Sequence, residues 1–488
     1  MAYATRPKSN RAGACVHRPG RDAIIGGRTG QAPRQPVRRA VAACLPDGRM
    51  HGLPRPRPPR SMISYAQALE CLLARAGRLP AESCGAGDAL GRVLASPLAS
   101  PMALPSFDHA AMDGYALPAR SPLVAGSEHP VGGSLAAGDA GTTRADDAVE
   151  IMTGAPLPPG CDAVIAVERT RLLASDADGV PTRIRLLDPL VAGNNVRRAG
   201  SDVAPGMTVL PAGAVVGPAQ RMLLAALGVT RVQVTRRPRV AIVCTGKELQ
   251  ADPSRPLAAG QIHNSNGPYL AAALEMAGAQ VAFCVTVDDS VATCEQAWQR
   301  AREAGVDLIV STGAVSMGRY DFVPDLLRRL GAGLLFHKVA IRPGKPLLAA
   351  SFGGDGPLLV ALPGTPMAVA AGFRFFVVPV LRAMLGQAAE PALRAVLDTP
   401  QQPRPGLRHF LRATMRQDEA GRLHAEVFPQ QQPFRIRPFA AAGGWVVLPE
   451  SSGECAAGTM VAIASLHPGA PLDVAGPAGM ADMGQELP

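Results

Sequence analysis

The sequence predicts a multi-domain protein in which a doubly wound α/β domain, three layers deep, lies between N-terminal β-rich domains and a small C-terminal β domain. Three observations lead to this prediction. The chain has 488 residues, which is more than one hydrophobic core usually organises. Over residues 237–388, apolar runs alternate with helical patterns of about a dozen residues, as in a mostly parallel sheet covered by helices. On both sides of this segment the apolar runs are short and separated by Gly and Pro, which favours β structure.

Residues 1–61 are predicted to be a disordered Arg- and Pro-rich extension. Residues 1–60 hold 13 Lys or Arg and two acids, a formal charge of +11, whereas the remaining residues hold 36 bases and 37 acids. Because this excess lies in a Pro-rich stretch and not on a folded face, and aromatics are only 4%, we expect no nucleic-acid partner. The stretch is Arg-rich like a transit peptide, but it has few Ser and many Pro, so we expect either disorder or an over-extended start site, with Met62 as the true beginning.

Residues 62–236 are predicted to form the N-terminal and inserted β-rich domains. Apolar residues at helical spacing over 64–76 predict a helix with Ser64 at its N-cap. Beyond residue 100, Gly and Pro separate short β-prone runs, which lie at 163–167, 183–187, 207–210 and 229–235.

Residues 237–388 are predicted to form the α/β domain. Its predicted strands are 240–244, 281–287, 307–311 and 358–362, and its predicted helices are 266–277, 292–304, 322–330 and one from residue 366. The apolar stretch 373–385 contains Arg374, Pro379 and Arg382, and no apolar run approaches the roughly 18 residues that cross a bilayer. We therefore expect a buried helix there and no membrane span.

Residues 392–468 are predicted to form the C-terminal β domain, and residues 469–488 a loose tail. The predicted strands of this domain are 409–416, 424–428 and 444–448.

The cysteines and the N-terminus favour a cytoplasmic protein. The nine cysteines are widely scattered and include no Cys-x-x-Cys pair, which argues against a disulfide framework and against a zinc site. The N-terminus lacks the continuous apolar segment of a secretory signal.

Three predicted strands of the α/β domain run directly into Gly-containing turns. The turns are TGKE (245–248), TGAVSMG (312–318) and PGTP (363–366). The carboxyl ends of parallel strands meet at one edge of a sheet, and Gly lets successive N–H groups converge on an oxyanion. Each turn alone is more often ordinary, but together with the two cations of RPGKP (342–346) they predict a site for phosphate-like anions.

Two acids in or after these turns are candidates to hold a metal ion. Asp321 and Glu248 could hold a Mg²⁺ that bridges phosphates. The alternative is that Asp321 caps the helix predicted over 322–330 and that Glu248 is a solvated acid in a first helical turn.

Three chemically mixed segments lie upstream of the α/β domain. They are PSFDHAAMDGYA (105–116), IMTGAPLP (151–158) and NNVRRAGSD (194–202). The Asp113-Gly114 pair predicts a turn that presents a carboxylate. Each segment alone is equally consistent with a tight turn or a solvated run of charges.

The order of these motifs resembles that of the molybdopterin molybdotransferases of the MoeA type, a family related to the E domain of gephyrin. The resemblance covers residues from about 62 to about 467. It rests on eight segments in order: MDGYA (112–116), IMTGAPLPPG (151–160), NNVRRAGSD (194–202), CTGKEL (244–249), NSN (264–266), STGAVSMGRYD (311–321), RPGKP (342–346) and LPGTP (362–366).

The resemblance implies a homodimer with a molybdopterin-binding α/β domain. Each site would lie between this domain of one subunit and the β-rich domains of the other. It implies a Mg²⁺-dependent reaction in which adenylylated molybdopterin and molybdate give molybdenum cofactor and AMP. A molybdopterin adenylyltransferase and client molybdoenzymes are the partners that such an enzyme would meet.

The resemblance also implies three groups of site residues. The catalytic residues in the shared cleft would be Asp113, Thr153 and Asp202. The substrate-binding residues would be Thr245, Gly246, Lys247, Asn264, Ser265, Asn266, Gly313, Ser316, Gly318, Arg342, Lys345 and Gly364. The metal ligands would be Asp321 and Glu248.

Five positions depart from the usual pattern of the family. Lys247 stands where Asp or Asn is common, and Ala314 stands where a second Gly is common, so an easy positive φ is not expected at residue 314. The others are Thr365 for Asn, Ala110 for Ser and Ser201 for Glu.

Two alternative functions are open at this point. One is an activity like that of a molybdopterin adenylyltransferase, and the other is a non-catalytic paralogue that binds the cofactor or delivers it to a client enzyme. The motifs upstream of the α/β domain disfavour the first alternative. The retained acids at 113, 202 and 321 disfavour the second.

Overall fold

A computed structural model describes residues 62–139, 146–315, 322–469 and 472–475. The predicted extension over residues 1–61 and most of the predicted tail beyond residue 469 lie outside these ranges. So do three predicted site residues, Ser316, Gly318 and Asp321.

The N-terminal part of the chain combines two helices with short strands. Helix α1 (Tyr65–Leu73) begins at Ser64 as predicted, because the Ser64 hydroxyl accepts the N–H of Gln67 and the Gln67 side chain accepts the N–H of Ser64. The remaining elements are helix α2 (Pro218–Ala226) and strands β1 (Ala81–Gly85), β2 (Leu98–Ala99), β3 (His109–Ala110), β4 (Gly114–Leu117), β5 (Glu128–Leu135), β6 (Ala148–Ile151), β7 (Ala163–Ala166), β8 (Thr170–Ser175), β9 (Pro181–Leu186), β10 (Val196–Arg197), β11 (Thr208–Leu210) and β12 (Arg231–Thr235).

These strands form nested antiparallel pairs that lead out to a separate sheet and back. The pairs are β1 with β12, β2 with β11 and β3 with β10. The chain between β3 and β10 forms a six-stranded sheet in the order β7-β4-β6-β5-β9-β8. The nesting places the segments around residues 109 and 196 side by side, although the whole inserted sheet separates them in sequence.

The α/β part contains the predicted alternation of strands and helices. Its strands are β13 (Arg239–Thr245), β14 (Leu249–Gln250), β15 (Ile262–His263), β16 (Gln280–Val287), β17 (Leu308–Thr312), β18 (Gly333–His337), β19 (Ile341–Arg342), β20 (Leu348–Ser351) and β21 (Leu358–Leu362). Its helices are α3 (Asn266–Met276), α4 (Val291–Glu303), α5 (Val323–Arg329), α6 (Pro366–Gly372) and α7 (Val378–Leu385).

The central sheet is doubly wound, as predicted. Its order is β16-β13-β17-β21-β20-β18, and the first four strands are parallel. Side chains alternate between two cores: Val240 and Ile242 of β13 pack with α1, α3, α6 and α7, whereas Ala241 and Val243 pack with α4 and α5. Strand β20 is antiparallel to both of its neighbours. Neither β20 nor β18 was predicted from the sequence.

The expectation that no apolar run approaches the length of a membrane span was wrong. Helices α6 and α7 are joined by a π-helical segment (Phe373–Val377) into one helix, Pro366–Leu385, whose length and composition would allow it to cross a membrane. Most of this helix is nevertheless buried inside the fold, as expected for a core helix. The buried cation of this helix, Arg374, is stabilised by an ion pair with Glu390 at 2.6 Å.

The C-terminal part forms a closed sheet around its own core. Its elements are β22 (Leu393–Leu397), β23 (Arg408–Gln417), β24 (Leu423–Val427), helix α8 (Arg437–Ala440), β25 (Gly444–Leu448), β26 (Met460–Ala464) and β27 (Val474–Ala475). Pairing runs β23-β24-β22-β26-β25 and returns from β25 to β23. Strand β19 of the preceding part pairs with β23, so the basic turn that follows β19 is attached to this sheet.

Candidate active site

Two of the predicted Gly turns meet at the carboxyl edge of the parallel strands. Gly313 follows β17 and donates its N–H to the carbonyl of Leu362 at 3.0 Å. A Cβ added to Gly364 would lie 3.6 Å from the Cα of Gly313, and one added to Gly313 would overlap the carbonyl oxygen of Thr245. Only Gly fits at position 313, which also has a φ of 87°. The ends of β13, β17 and β21 are therefore in direct contact.

Side-chain amides at the start of α3 hold these turns in place. Asn266 donates to the carbonyl of Gly364 at 2.8 Å. Asn264 accepts the N–H of Gly267 at 3.0 Å and donates to the Thr286 hydroxyl at 2.9 Å. Both amides are thus committed to hydrogen bonds inside the protein, which makes them structural supports of the edge.

The basic turn lies next to the Gly364 turn. A Cβ on Gly344 would be 3.8 Å from the carbonyl oxygen of Ala368, in the first turn of α6. The flanking cations, Arg342 and Lys345, are exposed. Arg342 is paired in register with His409 of β23, which is buried. Burial and the charge of Arg342 lower the pKa of His409.

Charged side chains follow β13 at the same edge. Lys247 and Glu248 are exposed, and the Glu248 carboxylate folds back until its Oε1 lies 2.7 Å from where a Cβ on Gly246 would be. The Lys247 N–H donates to Asp289 at 3.3 Å. Asp289 follows β16 and is not among the predicted site residues, because no Gly marks that strand end.

Two predicted substrate-binding residues are placed differently from what the motif suggests. The Thr245 side chain is buried, and its hydroxyl lies 3.7 Å from the sulfur of Cys294 in α4. The Thr245 atom nearest to the Gly313 position is its carbonyl oxygen, not its hydroxyl. Ser265 is exposed at the N-cap of α3, but its side chain makes no capping hydrogen bond.

The expectation that Ala314 avoids a positive φ was wrong. Ala314 has a φ of 53°, directly after Gly313. Two successive left-handed residues turn the chain sharply out of β17, and for Ala this conformation costs about 1–2 kcal/mol relative to a right-handed one.

Upstream, Asp113 and Thr153 are joined by hydrogen bonds. The Asp113 carboxylate accepts the Thr153 hydroxyl at 2.7 Å and the Thr153 N–H at 2.6 Å. Both bonds lower the pKa of Asp113 below its ordinary value, and the bond from the hydroxyl has the larger effect. Both residues are exposed, so an ionised carboxylate is presented at the surface.

Gly114 does not form the predicted turn; it begins strand β4. Its φ is not positive, but a Cβ at this position would overlap the carbonyl oxygen of Ile165 in β7. Gly is required here by the close approach of β4 and β7, which fixes the start of β4 directly after Asp113.

Asp202 lies in a segment that is organised by Asp108, which is not among the predicted site residues. Asp108 accepts the Ala199 N–H at 2.7 Å and the Arg198 guanidinium at 2.6 Å. Both bonds lower the pKa of Asp108, and the bond from the Ala199 N–H has the larger effect. The signal in the sequence was an acid directly after Phe107 in the 105–116 segment, but nothing there identified its partner.

The structure therefore gathers the predicted residues into two groups. Asp113, Thr153 and Asp202 belong to the N-terminal sheets, whereas the Gly turns and the basic turn belong to the central sheet. Among the described residues no group of three or more His, Cys, Asp or Glu side chains is placed to hold a metal ion.

Comparison with family models matches three consecutive parts of the chain. Residues 63–228 match the MoeA N-terminal region (domain I and II), residues 241–383 match a probable molybdopterin binding domain, and residues 394–466 match the MoeA C-terminal region (domain IV).

Curated relatives match the chain over most of their own length. A molybdopterin molybdenumtransferase of Synechococcus elongatus is 34% identical over 418 residues, which cover 83% of this chain and 100% of the relative. The chain belongs to the molybdopterin molybdenumtransferase family. Molybdopterin molybdenumtransferase 2 of Mycobacterium tuberculosis is 37% identical over 389 residues, covering 77% of this chain and 92% of that protein.

A solved structure extends the agreement to the fold. The molybdopterin biosynthesis MoeA protein of Pyrococcus horikoshii superposes with a TM-score of 0.69 at 27% identity, covering 83% of this chain and 99% of that one. Membership of the molybdopterin molybdenumtransferase family makes this chain a transferase of molybdenum cofactor biosynthesis.

Proposed function

We propose that this chain transfers molybdate to adenylylated molybdopterin and releases AMP. The observation that carries the proposal is the convergence of the Gly313 turn, the Gly364 turn and the basic turn at one edge of the central sheet. Backbone N–H groups and two cations at this edge offer donors to phosphate and molybdate oxygens.

The chain's own residues would divide the work by charge. Substrate phosphates and molybdate repel one another, and the exposed Arg342 and Lys345 offset that repulsion. Ser316 and Gly318 follow Gly313 in the sequence, outside the described residues, and we propose that they too bind the substrate phosphates. The ionised Asp113, held by Thr153, and Asp202 would orient the pterin from the other side.

We propose that Glu248 and Asp321 would hold a Mg²⁺ ion. Glu248 and Asp321 supply hard carboxylate oxygens, and Mg²⁺ commonly binds through one or two carboxylates together with substrate phosphates. When bound, the ion would neutralise charge on the phosphates.

The two groups of site residues suggest that each complete site uses two copies of the chain. The edge of the central sheet formed by the Gly313 turn, the Gly364 turn and the basic turn is called the anion-binding edge. We propose a homodimer in which Asp113, Thr153 and Asp202 of one copy face the anion-binding edge of the other. The exposure of Asp113 and Thr153 supports this arrangement.

We also propose that the chain acts in the cytoplasm. The seven described cysteines are all free, as in a reducing compartment. Its partners there would be a molybdopterin adenylyltransferase that supplies the substrate and client molybdoenzymes that accept the product.

A single-turnover incubation tests the proposed reaction. Purified protein is mixed with adenylylated molybdopterin, Mg²⁺ and molybdate, and we expect AMP release together with reactivation of an apo-molybdoenzyme. Asp113→Ala should abolish molybdate-dependent release. Tight binding of the pterin without AMP release by the unaltered chain would contradict the transferase reaction and favour a cofactor-delivering role.

A further inference from the structure

A loop of the C-terminal domain is fixed by a buried arginine. Residues 430–436 connect β24 to α8, and we call them the Arg412 loop. Arg412 lies on β23 and is only 1% exposed. Its guanidinium donates to the carbonyls of Arg435 at 2.7 Å and Gln430 at 2.8 Å, and to the side-chain oxygen of Gln431 at 3.3 Å. A buried cation satisfied by loop oxygens holds the loop in one conformation, because releasing the loop would leave the charge unsolvated.

Two further contacts attach this part of the chain to the helices that border the anion-binding edge. The Pro433 carbonyl accepts the N–H of Met367, in the first turn of α6, at 3.0 Å. Just after the loop, the Phe439 ring packs against the Tyr269 ring of α3, with centroids 5.8 Å apart. Helix α6 begins directly after the Gly364 turn, and α3 begins directly after Asn264 and Ser265. The Arg412 loop is therefore held next to the candidate site.

The loop nevertheless leaves an aromatic side chain in solvent. Phe434 is 65% exposed, although its neighbours on both sides are anchored. The guanidinium carbon of Arg435 lies 5.8 Å from the Phe434 ring centroid, and the Arg435 Nε is buried without a hydrogen-bond partner among the described residues. A fixed loop that presents an aromatic face beside a cation suits a planar, electron-rich ring that carries an anionic group.

We propose that Phe434 stacks on the pterin ring of the substrate and that Arg412 is the residue that positions it. This inference rests on the proposed function. The Gly turns and the basic turn take the phosphates and molybdate, and Phe434 supplies the apolar face that those polar loops lack. Aromatic stacking binds planar heterocycles by their π-faces, as in single-stranded nucleic-acid binding.

Equilibrium binding to the full chain tests the inference without requiring turnover. The probes are adenylylated molybdopterin and AMP, each measured on the unaltered chain and on Phe434→Ala, Phe434→Tyr and Leu393→Ala. Leu393, on β22 in the same domain, is a matched exposed apolar control at 43% exposure. We expect Phe434→Ala to weaken the binding of adenylylated molybdopterin by about ten-fold or more. AMP affinity should stay within about two-fold, because AMP lacks the pterin. Phe434→Tyr keeps the aromatic face, so this variant and Leu393→Ala should both bind the pterin like the unaltered chain.

Arg412→Lys separates positioning from direct contact. This variant keeps the charge but loses the planar fork that reaches several oxygens at once. It should therefore weaken the binding of adenylylated molybdopterin, as Phe434→Ala does, and leave AMP binding unchanged. Correct folding of this variant is checked by its thermal unfolding, and Phe434→Ala, a surface change, tests the proposal independently.

Three outcomes would overturn the inference. Unchanged pterin affinity in Phe434→Ala excludes stacking, and equal loss of AMP affinity would assign Phe434 to the adenine. Loss of a dimer on sedimentation of Phe434→Ala would assign it to contact with a second copy. A chain that binds adenylylated molybdopterin through Phe434 yet releases no AMP with molybdate would support this inference while contradicting the proposed function.

Discussion

Ala314 is the residue at which the local backbone and the side chain disagree most clearly. It adopts a φ of 53° immediately after Gly313, at the point where β17 enters the candidate site. A left-handed Ala is strained, whereas Gly is not, although Gly also gives up more conformational freedom on folding. The strain is retained in a turn that the anion-binding edge needs.

We therefore predict that Ala314→Gly stabilises the α/β domain. The free energy of unfolding should rise by about 0.5–1 kcal/mol, as the relief of strain exceeds the entropic cost of Gly. Urea or thermal unfolding measures the change. Ala304→Gly is the matched control, because Ala304 has an ordinary φ of −71° at the end of α4 and should lose stability instead. Equal losses in both variants would show that Ala314 carries no strain.

Asp113 offers a prediction about pH. Its pKa is lowered by the hydroxyl and N–H of Thr153, so its carboxylate stays ionised well below neutral pH, and a rate that needs the anion falls only as pH drops through that lowered pKa. Thr153→Val removes the hydroxyl and keeps the N–H, so the pKa should rise toward 3.8. The acidic limb of the AMP-release rate should therefore move to higher pH.

Carbon-13 NMR of the Asp113 carboxyl measures this pKa directly, in parallel with the pH dependence of the rate. Thr153→Ser keeps the hydroxyl donor and should leave both unchanged. If Thr153→Val leaves the carboxyl titration where it is, the hydrogen bond seen between the two side chains has no electrostatic effect.

At the scale of elements, the nested pair β3–β10 carries Asp202 into place, and Asp108 secures it. Asp108 holds the backbone of Ala199 and the side chain of Arg198. We predict that Asp108→Ala increases amide hydrogen exchange at residues 196–203 and slows AMP release by about ten-fold or more, because small misplacements of site residues have large effects on rate.

Asp108→Asn separates the two bonds of Asp108. It keeps an acceptor for the Ala199 N–H and loses the ion pair, which is exposed and contributes little by itself. It should retain most of the protection and most of the rate. A slow Asp108→Ala variant with unchanged exchange would argue for direct contact of Asp108 with substrate.

The elements also show how far the sequence predicts this fold. Buried strands followed by Gly, such as β13, β17 and β21, were predictable because period and turn chemistry agree. Strands β18 and β20 were not predictable in this way. From β18 to β21 the strands follow one another without a helix between them, so the alternation of strand and helix is lost. Within the site, the Gly turns and cations were predictable from local sequence. Two other features were not predictable, because they depend on partners distant in sequence. The Thr245 hydroxyl points toward Cys294, and Arg412 binds the carbonyl of Arg435.

At the scale of the whole molecule, one residue near the N-terminus joins three parts of the chain. The Tyr65 hydroxyl donates to the carbonyl of Phe375 at 3.2 Å, and its N–H donates to Glu450 at 3.2 Å. Arg408 lies over its ring at 4.4 Å and pairs with Glu450 at 3.0 Å. Helix α1, the long helix Pro366–Leu385 and the closed C-terminal sheet are thereby held together. The sheet that carries Asp113, in contrast, lies at the end of the nested strands.

This arrangement predicts that activity can be restored by mixing two inactive variants. If Asp113 of one copy completes the site of the other, Asp113→Ala and Arg342→Ala should each abolish AMP release alone. In a mixed dimer, one site then contains both changes and the other contains neither. Random exchange makes half of the dimers mixed, so about a quarter of the unaltered activity should return. The measurement is AMP release after the two variants are unfolded together and refolded, with each variant refolded alone as the control. Sedimentation confirms the dimer. No recovery from a correctly refolded mixed dimer would place Asp113 and Arg342 in the same copy's site, or place Asp113 outside it.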